Sequence, residues 1–136
     1  MSSRFRDGGG FEAAAGYSRA ARHGDTIAVS GTGDVGPDGA VGHPGDTYAQ
    51  TRRSLERALA AVTELGGSRE DVIRTRLYLT PEADWREAVR AHRELLAGVD
   101  PANTTFYVAG FVVEEMLVEV EVDAQVESHA APRPPR

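Results

Sequence analysis

Neither lysine nor cysteine occurs among the 136 residues, and the 15 cations other than histidine are all arginine. Without lysine there is no Schiff-base amine and no P-loop lysine; without cysteine there is no thiolate nucleophile, disulfide framework or Cys-based zinc site. Heavy use of Ala, Gly and Arg also fits a GC-rich genome. Chemistry is left to Arg, His, carboxylates, hydroxyls, amides and the backbone. Cations are outnumbered as well: 21 Asp and Glu give a formal net charge of −6, which argues against a broad phosphate-binding surface and so against a nucleic-acid partner. No apolar stretch approaches the roughly 20 residues that cross a bilayer, and the N-terminus carries no signal-like apolar run. The expectation is a soluble cytoplasmic protein with no membrane contact.

What is present fits one globular domain, with 40% hydrophobic and 26% charged residues, both near globular averages. Residues 1–10, with Gly8, Gly9 and Gly10 in a row, and the tail 128–136, with Pro132, Pro134 and Pro135, read as flexible ends. A single domain, 11–127, lies between them. Tyr17 to Arg22 and Thr26 to Gly31 read as two strands around the turn His23-Gly24-Asp25. After a Gly/Asp/Pro-rich loop from Thr32 to Gly45, Asp46 to Leu65 spaces Tyr48, Leu55, Leu59, Val62 and Leu65 along one helical face, and Gly66-Gly67 ends it. Ser68 and Asp71 cap a short turn. In the strand Val72 to Thr80, Ile73, Thr75, Leu77 and Leu79 share one face and Arg74, Arg76 and Tyr78 the other. Pro81 opens a second helix to about Ala97, with Trp85, Ala88, Val89, His92 and Leu96 inward. Thr104 to Phe111 and Met116 to Val126 are the last strands. The order β-β-α-β-α-β-β gives an α+β fold, a mixed sheet with two helices on one face. Residues such as Thr75, Leu77 and Leu79 are too apolar to face water, so the other face is expected to be covered by self-association.

The histidines His23, His43, His92 and His129 have no ligand-like spacing with each other or with carboxylates, so no metal site is expected. No Ser or Thr sits in an elbow or triad pattern. Gly31-Thr32-Gly33 is too short for a phosphate loop and reads as a close backbone approach or turn. The last strand is richer: Glu119, Glu121 and Asp123 alternate and therefore project from one face. Two readings stand. The row is an ordinary solvated strand face, or one carboxylate lies in a cleft where burial raises its pKa and lets it handle a proton or a water.

Taken in order, Gly16-Tyr17-Ser18, Ile27-Ala28-Val29-Ser30-Gly31, Gln50-Thr51-Arg52-Arg53-Ser54-Leu55, Pro101-Ala102 and Leu117-Val118-Glu119-Val120-Glu121-Val122 resemble the Rid family of reactive intermediate deaminases, also called YjgF-type or L-PSP endoribonuclease-like. The resemblance spans nearly the whole domain. It implies a chorismate-mutase-like (YjgF-type) fold, a homotrimer, clefts between adjacent subunits and no cofactor. Family members of the deaminating kind hydrolyse 2-imino or 2-enamino acids to 2-keto acids and ammonia. By position the resemblance assigns water positioning to Glu119, pocket contacts to Tyr17, and backbone contacts to Ser30, Gly31 and Thr105.

One position departs from the pattern. Where such members place an Arg that grips the substrate carboxylate, this chain has Asn103, in Pro101-Ala102-Asn103-Thr104-Thr105. An amide brings no charge, and losing a charge-assisted pair costs on the order of 1.5–3 kcal/mol. Val89 also stands where many members have Asn. The expectation is a cofactor-free hydrolase or tautomerase acting on a small reactive enamine, imine or related carbonyl intermediate, and not an ordinary 2-aminoacrylate deaminase. The alternative is a non-catalytic trimeric small-molecule-binding or chaperone-like homologue. Ribonuclease activity has little support in an acidic chain with no His pair placed for RNA cleavage.

Overall fold

A computed structural model of the chain describes residues 2–127; the expected flexible tail 128–136, with His129, lies outside the described residues. The elements are β1 (Ser2–Phe5), α1 (Gly10–Ala15), β2 (Ala20–His23), β3 (Thr26–Thr32), α2 (Thr47–Glu64), a 3₁₀ turn (Arg69–Asp71), β4 (Val72–Leu79), α3 (Trp85–Leu96), β5 (Ala102–Tyr107) and β6 (Val118–Gln125). One six-stranded sheet runs in the order β1-β2-β3-β6-β4-β5. All pairings are antiparallel except that of β4 with β5. The C-terminal strand β6 is thus inserted between β3 and β4.

The strict alternation of the last strand explains its central place. Val118, Val120, Val122 and Ala124 are fully buried, while Glu119, Glu121 and Asp123 are only half-buried on the other face. Against the apolar face lie Leu55, Ala58, Ala61 and Val62 of α2 and Ala88 and Leu96 of α3, in one core with Ile27, Leu77 and Leu79. Both helices are capped by Asp: Asp46 accepts from Ala49 N at 2.9 Å and Asp84 from Arg86 N at 3.1 Å, satisfying donors that a helix start otherwise leaves open. At the end of α2, Gly67 lets the chain pass close over the core, since a β-carbon there would lie 2.8 Å from Val62 Cγ1.

Several details differ from the sequence reading. Ser2–Phe5 is a strand paired with β2 and Gly10–Ala15 is a helix, so the expected flexible N-terminus is part of the sheet and of a short cap over it. Its three glycines had suggested a loose end, but only Gly8 has a positive φ. In β4 a register shift between Val72 and Arg74 makes Val72 the buried residue and leaves Ile73 54% exposed. Trp85 and Val89, expected inward, are 45% and 37% exposed. The strand expected to reach Phe111 ends at Tyr107, where its pairing with β4 runs out at Leu79. Thr75, Leu77 and Leu79 face the helices and are buried within one chain. The open face is polar instead, and the exposed apolar surface gathers along the β5 edge as Trp85, Val89, Phe106 and Tyr107.

Candidate active site

Register puts Glu119 opposite Tyr78 and Glu121 opposite Arg76, on the open sheet face. The three carboxylates then divide. The Tyr78 hydroxyl donates to Glu121, and Arg76 reaches Asp123 at 3.3 Å and Glu121 at 3.8 Å. Burial and the Glu121 carboxylate push the Tyr78 phenol up to about 12. Glu119 has no hydrogen-bond partner among the described residues. Burial raises its pKa above the ordinary carboxylate value, Arg19 opposes the shift and Glu121 adds to it. A half-buried carboxylate without a partner is the candidate in this row for holding or moving a proton.

A break in the ladder between β3 and β6, between Val29 and Thr32, brings Ser30 and Gly31 to Glu119. The contact is so close that a β-carbon on Gly31 would overlap the Glu119 carboxylate, so any side chain here has to push that carboxylate aside. The irregular backbone is held by side chains. Ser30 Oγ donates to Ser18 O at 2.7 Å, and Thr32 Oγ1 donates to Ser30 O at 2.7 Å. Arg19, almost fully buried, donates through Nη1 to Gly31 O at 2.6 Å and to Thr32 Oγ1 at 3.1 Å. Its Nε meets Asp7 at 3.3 Å; Arg57 meets the same carboxylate at 2.7 Å and also donates to Gly33 O. Burial pushes Asp7 up, but the Arg57 hydrogen bond and the Arg19 charge outweigh it and hold this carboxyl below its usual value. Tyr17 follows the left-handed Gly16 that closes α1, and its ring lies 5.8 Å from the Arg19 guanidinium carbon. Tyr17 and Ser30 line a cleft of about 340 Å³ with Ser18, Arg76, Glu121 and Asp123.

Asn103 and Thr105 stand apart from this group. Phe106 pairs with Tyr78 and so shares the face of Glu119, whereas Asn103 and Thr105 alternate with it and turn to the helix side of the edge strand. They line a second cleft of about 410 Å³ with Leu79, Trp85, Val89, Phe106 and Tyr107. Asn103 Nδ2 donates to Thr75 Oγ1 at 3.0 Å, and Thr105 Oγ1 donates to Asn103 Oδ1 at 2.9 Å. Within one chain, therefore, Gly31 meets Glu119 and Tyr17 and Ser30 line a cleft with Glu121 and Asp123, while Asn103 and Thr105 line a separate one.

The sequence reading passed over Arg19, Asp7 and Arg57. Arg19 had a visible signal, a cation two residues beyond Tyr17 in a stretch otherwise read as a plain strand; Asp7 and Arg57 had none, because they meet only through the folded N-terminal segment. Among the described residues no three His, Asp or Glu side chains form a group able to hold a metal ion, and no helix is long and apolar enough to cross a membrane.

The Endoribonuclease L-PSP family profile matches residues 9–126. An uncharacterised protein of Streptomyces coelicolor is 39% identical over 121 residues, 89% of this chain and 90% of that protein. Among solved structures, a YjgF/YER057c/UK114 family member from Mycobacterium tuberculosis is 35% identical with a TM-score of 0.83 over 93% of this chain and all of that one. The YjgF gene product of E. coli is 26% identical, with a TM-score of 0.71 over 80% of this chain and 87% of that one. With the profile covering nearly the whole chain and relatives at 35–39% identity, the chain belongs to the endoribonuclease L-PSP family, the YjgF or Rid type.

Proposed function

We propose that this chain acts on a small reactive metabolite, an enamine, imine or related carbonyl intermediate, by cofactor-free hydrolysis or tautomerisation. The observation that carries the reading is Glu119: the one carboxylate of its row without a partner among the described residues, half-buried, with a raised pKa, against the Gly31 backbone. In the hydrolytic form Glu119 takes a proton from water as the oxygen bonds to the imine carbon and returns it to the imine nitrogen. The hydroxyl of the resulting carbinolamine then passes its proton, by way of Glu119, to that nitrogen as the C–N bond breaks, leaving ammonia and a carbonyl. Tyr17, Ser30 and Gly31 bound this side of the cleft. Asn103 and Thr105 bring the other side from a neighbouring copy in a homotrimer, an arrangement supported by their separation from Glu119 and by the exposed apolar edge around them.

Asn103 carries no charge and is already bonded to Thr75 and Thr105, so an ordinary 2-imino carboxylate is a poor fit. The same commitment favours a second reading, a trimeric binding protein without catalysis. Generating 2-aminoacrylate and 2-iminobutyrate in situ and comparing the native chain with Asn103→Arg separates them. Little native turnover and a gain in the variant support the enzymatic cleft. Robust native turnover removes the role given to Asn103, no gain favours the binding protein, and a monomeric mass at micromolar concentration removes the shared cleft.

A further inference from the structure

Asn103 is the middle of a chain of four polar side chains that runs from the cleft into the core. Its amide orientation is fixed by Thr75: Nδ2 lies 3.0 Å from Thr75 Oγ1 and 3.5 Å from the Thr75 carbonyl oxygen, so the reversed amide would set Oδ1 against a carbonyl. Thr75 Oγ1 therefore accepts from Asn103, and its own proton needs another acceptor. His92 Nε2, 2.7 Å away, is that acceptor in the tautomer that carries its proton on Nδ1. On the cleft side the Thr105 hydroxyl donates to Asn103 Oδ1 at 2.9 Å. Every donor in the chain points inward, from Thr105 to Asn103 to Thr75 to His92. What Thr105 offers the cleft is an oxygen lone pair.

We propose that His92 is a positioning residue that sets the hydrogen-bond polarity of this half-site, so that Thr105 presents an acceptor and selects an uncharged ligand bearing an N–H or O–H over a carboxylate. This rests on the reading of the Asn103 cleft as a ligand site given above. Aligned bonds of this kind polarise one another, and a carboxylate meeting two oxygens with no proton to share is repelled. The polarity requires neutral His92 with its proton on Nδ1. Burial alone holds its pKa below the usual value. Along α3 its neighbours three and four residues away are Ala88, Val89, Leu95 and Leu96; beneath it on β4 is Thr75, with Arg74 and Arg76 on the opposite face; beyond Thr75, β5 contributes Asn103 and Thr105, neither of them titratable. The ionisable groups of the α2–α3 seam, Tyr48, Arg90 and Glu94, engage each other. Protonating His92 makes Nε2 a donor, so the Thr75 hydroxyl loses its acceptor and the alignment of the chain is broken.

Indole and benzofuran share size and shape but differ in one N–H, and they are the probes. On full-length ¹⁵N-labelled protein, the His92 ring spectrum at pH 7.5 should show Nε2 unprotonated. Shifts at the Asn103 side chain and Thr105 amide should give indole a preference on the order of threefold to tenfold, one neutral hydrogen bond. The preference should vanish in Thr105→Val and His92→Leu, survive in His92→Gln, whose amide oxygen accepts from Thr75, and shrink below the His92 pKa. A protonated Nε2 at pH 7.5, equal or absent binding of both probes, or an unchanged preference in His92→Leu overturns the proposal. Because the preference is read without turnover, its failure is distinguishable from failure of the imine assay.

Discussion

Gly31 abuts the Glu119 carboxylate: a β-carbon on Gly31 would overlap Oε1 and lie 2.9 Å from Cδ. The acid can occupy its place only because β3 has no side chain there. Gly31→Ala should therefore displace Glu119 and cost roughly 1–3 kcal/mol in urea unfolding, as overpacking does. Any activity on a cognate substrate should drop further than the loss of folded protein accounts for. A variant with native stability and activity would mean that the carboxylate moves aside freely.

The raised pKa of Glu119 fixes the sign of a pH effect. Because the folded chain holds this proton more tightly than the unfolded one, stability falls as pH rises from the unfolded pKa through the folded one, and the penalty persists at neutral pH. Glu119→Gln should thus raise Tm slightly at pH 7, with the gap closing near pH 4, while abolishing proton transfer. Melting curves of both proteins across this range check the sign, and a lower Tm for the variant at pH 7 contradicts it.

Arg19 ties together Asp7, Gly31 O and Thr32 Oγ1 from a nearly buried position. Replacing it with Met keeps much of the volume but strands Gly31 O and leaves Asp7 to Arg57 and the Gly9 amide, at a cost of about 2 kcal/mol. Arg19→Met should also move the Gly31 and Thr32 amide resonances more than those of α3. A uniform shift pattern would deny Arg19 its local hold on the β3 break.

Gln50 is a fully buried latch. Its Nε2 donates to His43 O at 3.0 Å and Glu115 O at 3.1 Å, and its Oε1 accepts from Leu117 N at 2.7 Å. Gln50→Met, similar in volume, leaves Leu117 N and Glu115 O unpaired, while His43 O keeps the bond from Asp46 N, and should cost roughly 2–4 kcal/mol. Denaturant unfolding measures it; a cost below about 0.5 kcal/mol would mean that solvent replaces all three bonds.

Period-2 and helical patterns made the α+β order readable from sequence, because one buried face imposes them on Val118, Val120, Val122, Leu55 and Val62; the insertion of β6 between β3 and β4 was not readable, since it depends on long-range pairing. They misled where a partner strand overrides local pattern: the bulge at Ile73, and the Gly-rich start, whose pairing with β2 depends on residues some 20 positions away. Of the site, the roles given to Tyr17, Ser30, Gly31 and Glu119 came from resemblance, and the structure shows the contact of Gly31 with Glu119. Which carboxylate is unpaired did not, since it depends on Tyr78 and Arg76 across the strand pair. The face taken by Asn103 was equally hidden, being set by the register between β4 and β5.

The placing of β6 between β3 and β4 governs how the molecule comes into being. Until the last strand has left the ribosome, β3 and β4 each keep an unpaired edge, the core has no floor of valines, and the acid that faces Gly31 does not yet exist. Sheet closure and assembly of the Glu119 site are one event, with pairing spread over long sequence separations that slow folding. A nascent or truncated chain ending before Val118 would expose two apolar edges at once, which favours aggregation. Such a chain would carry none of the chemistry.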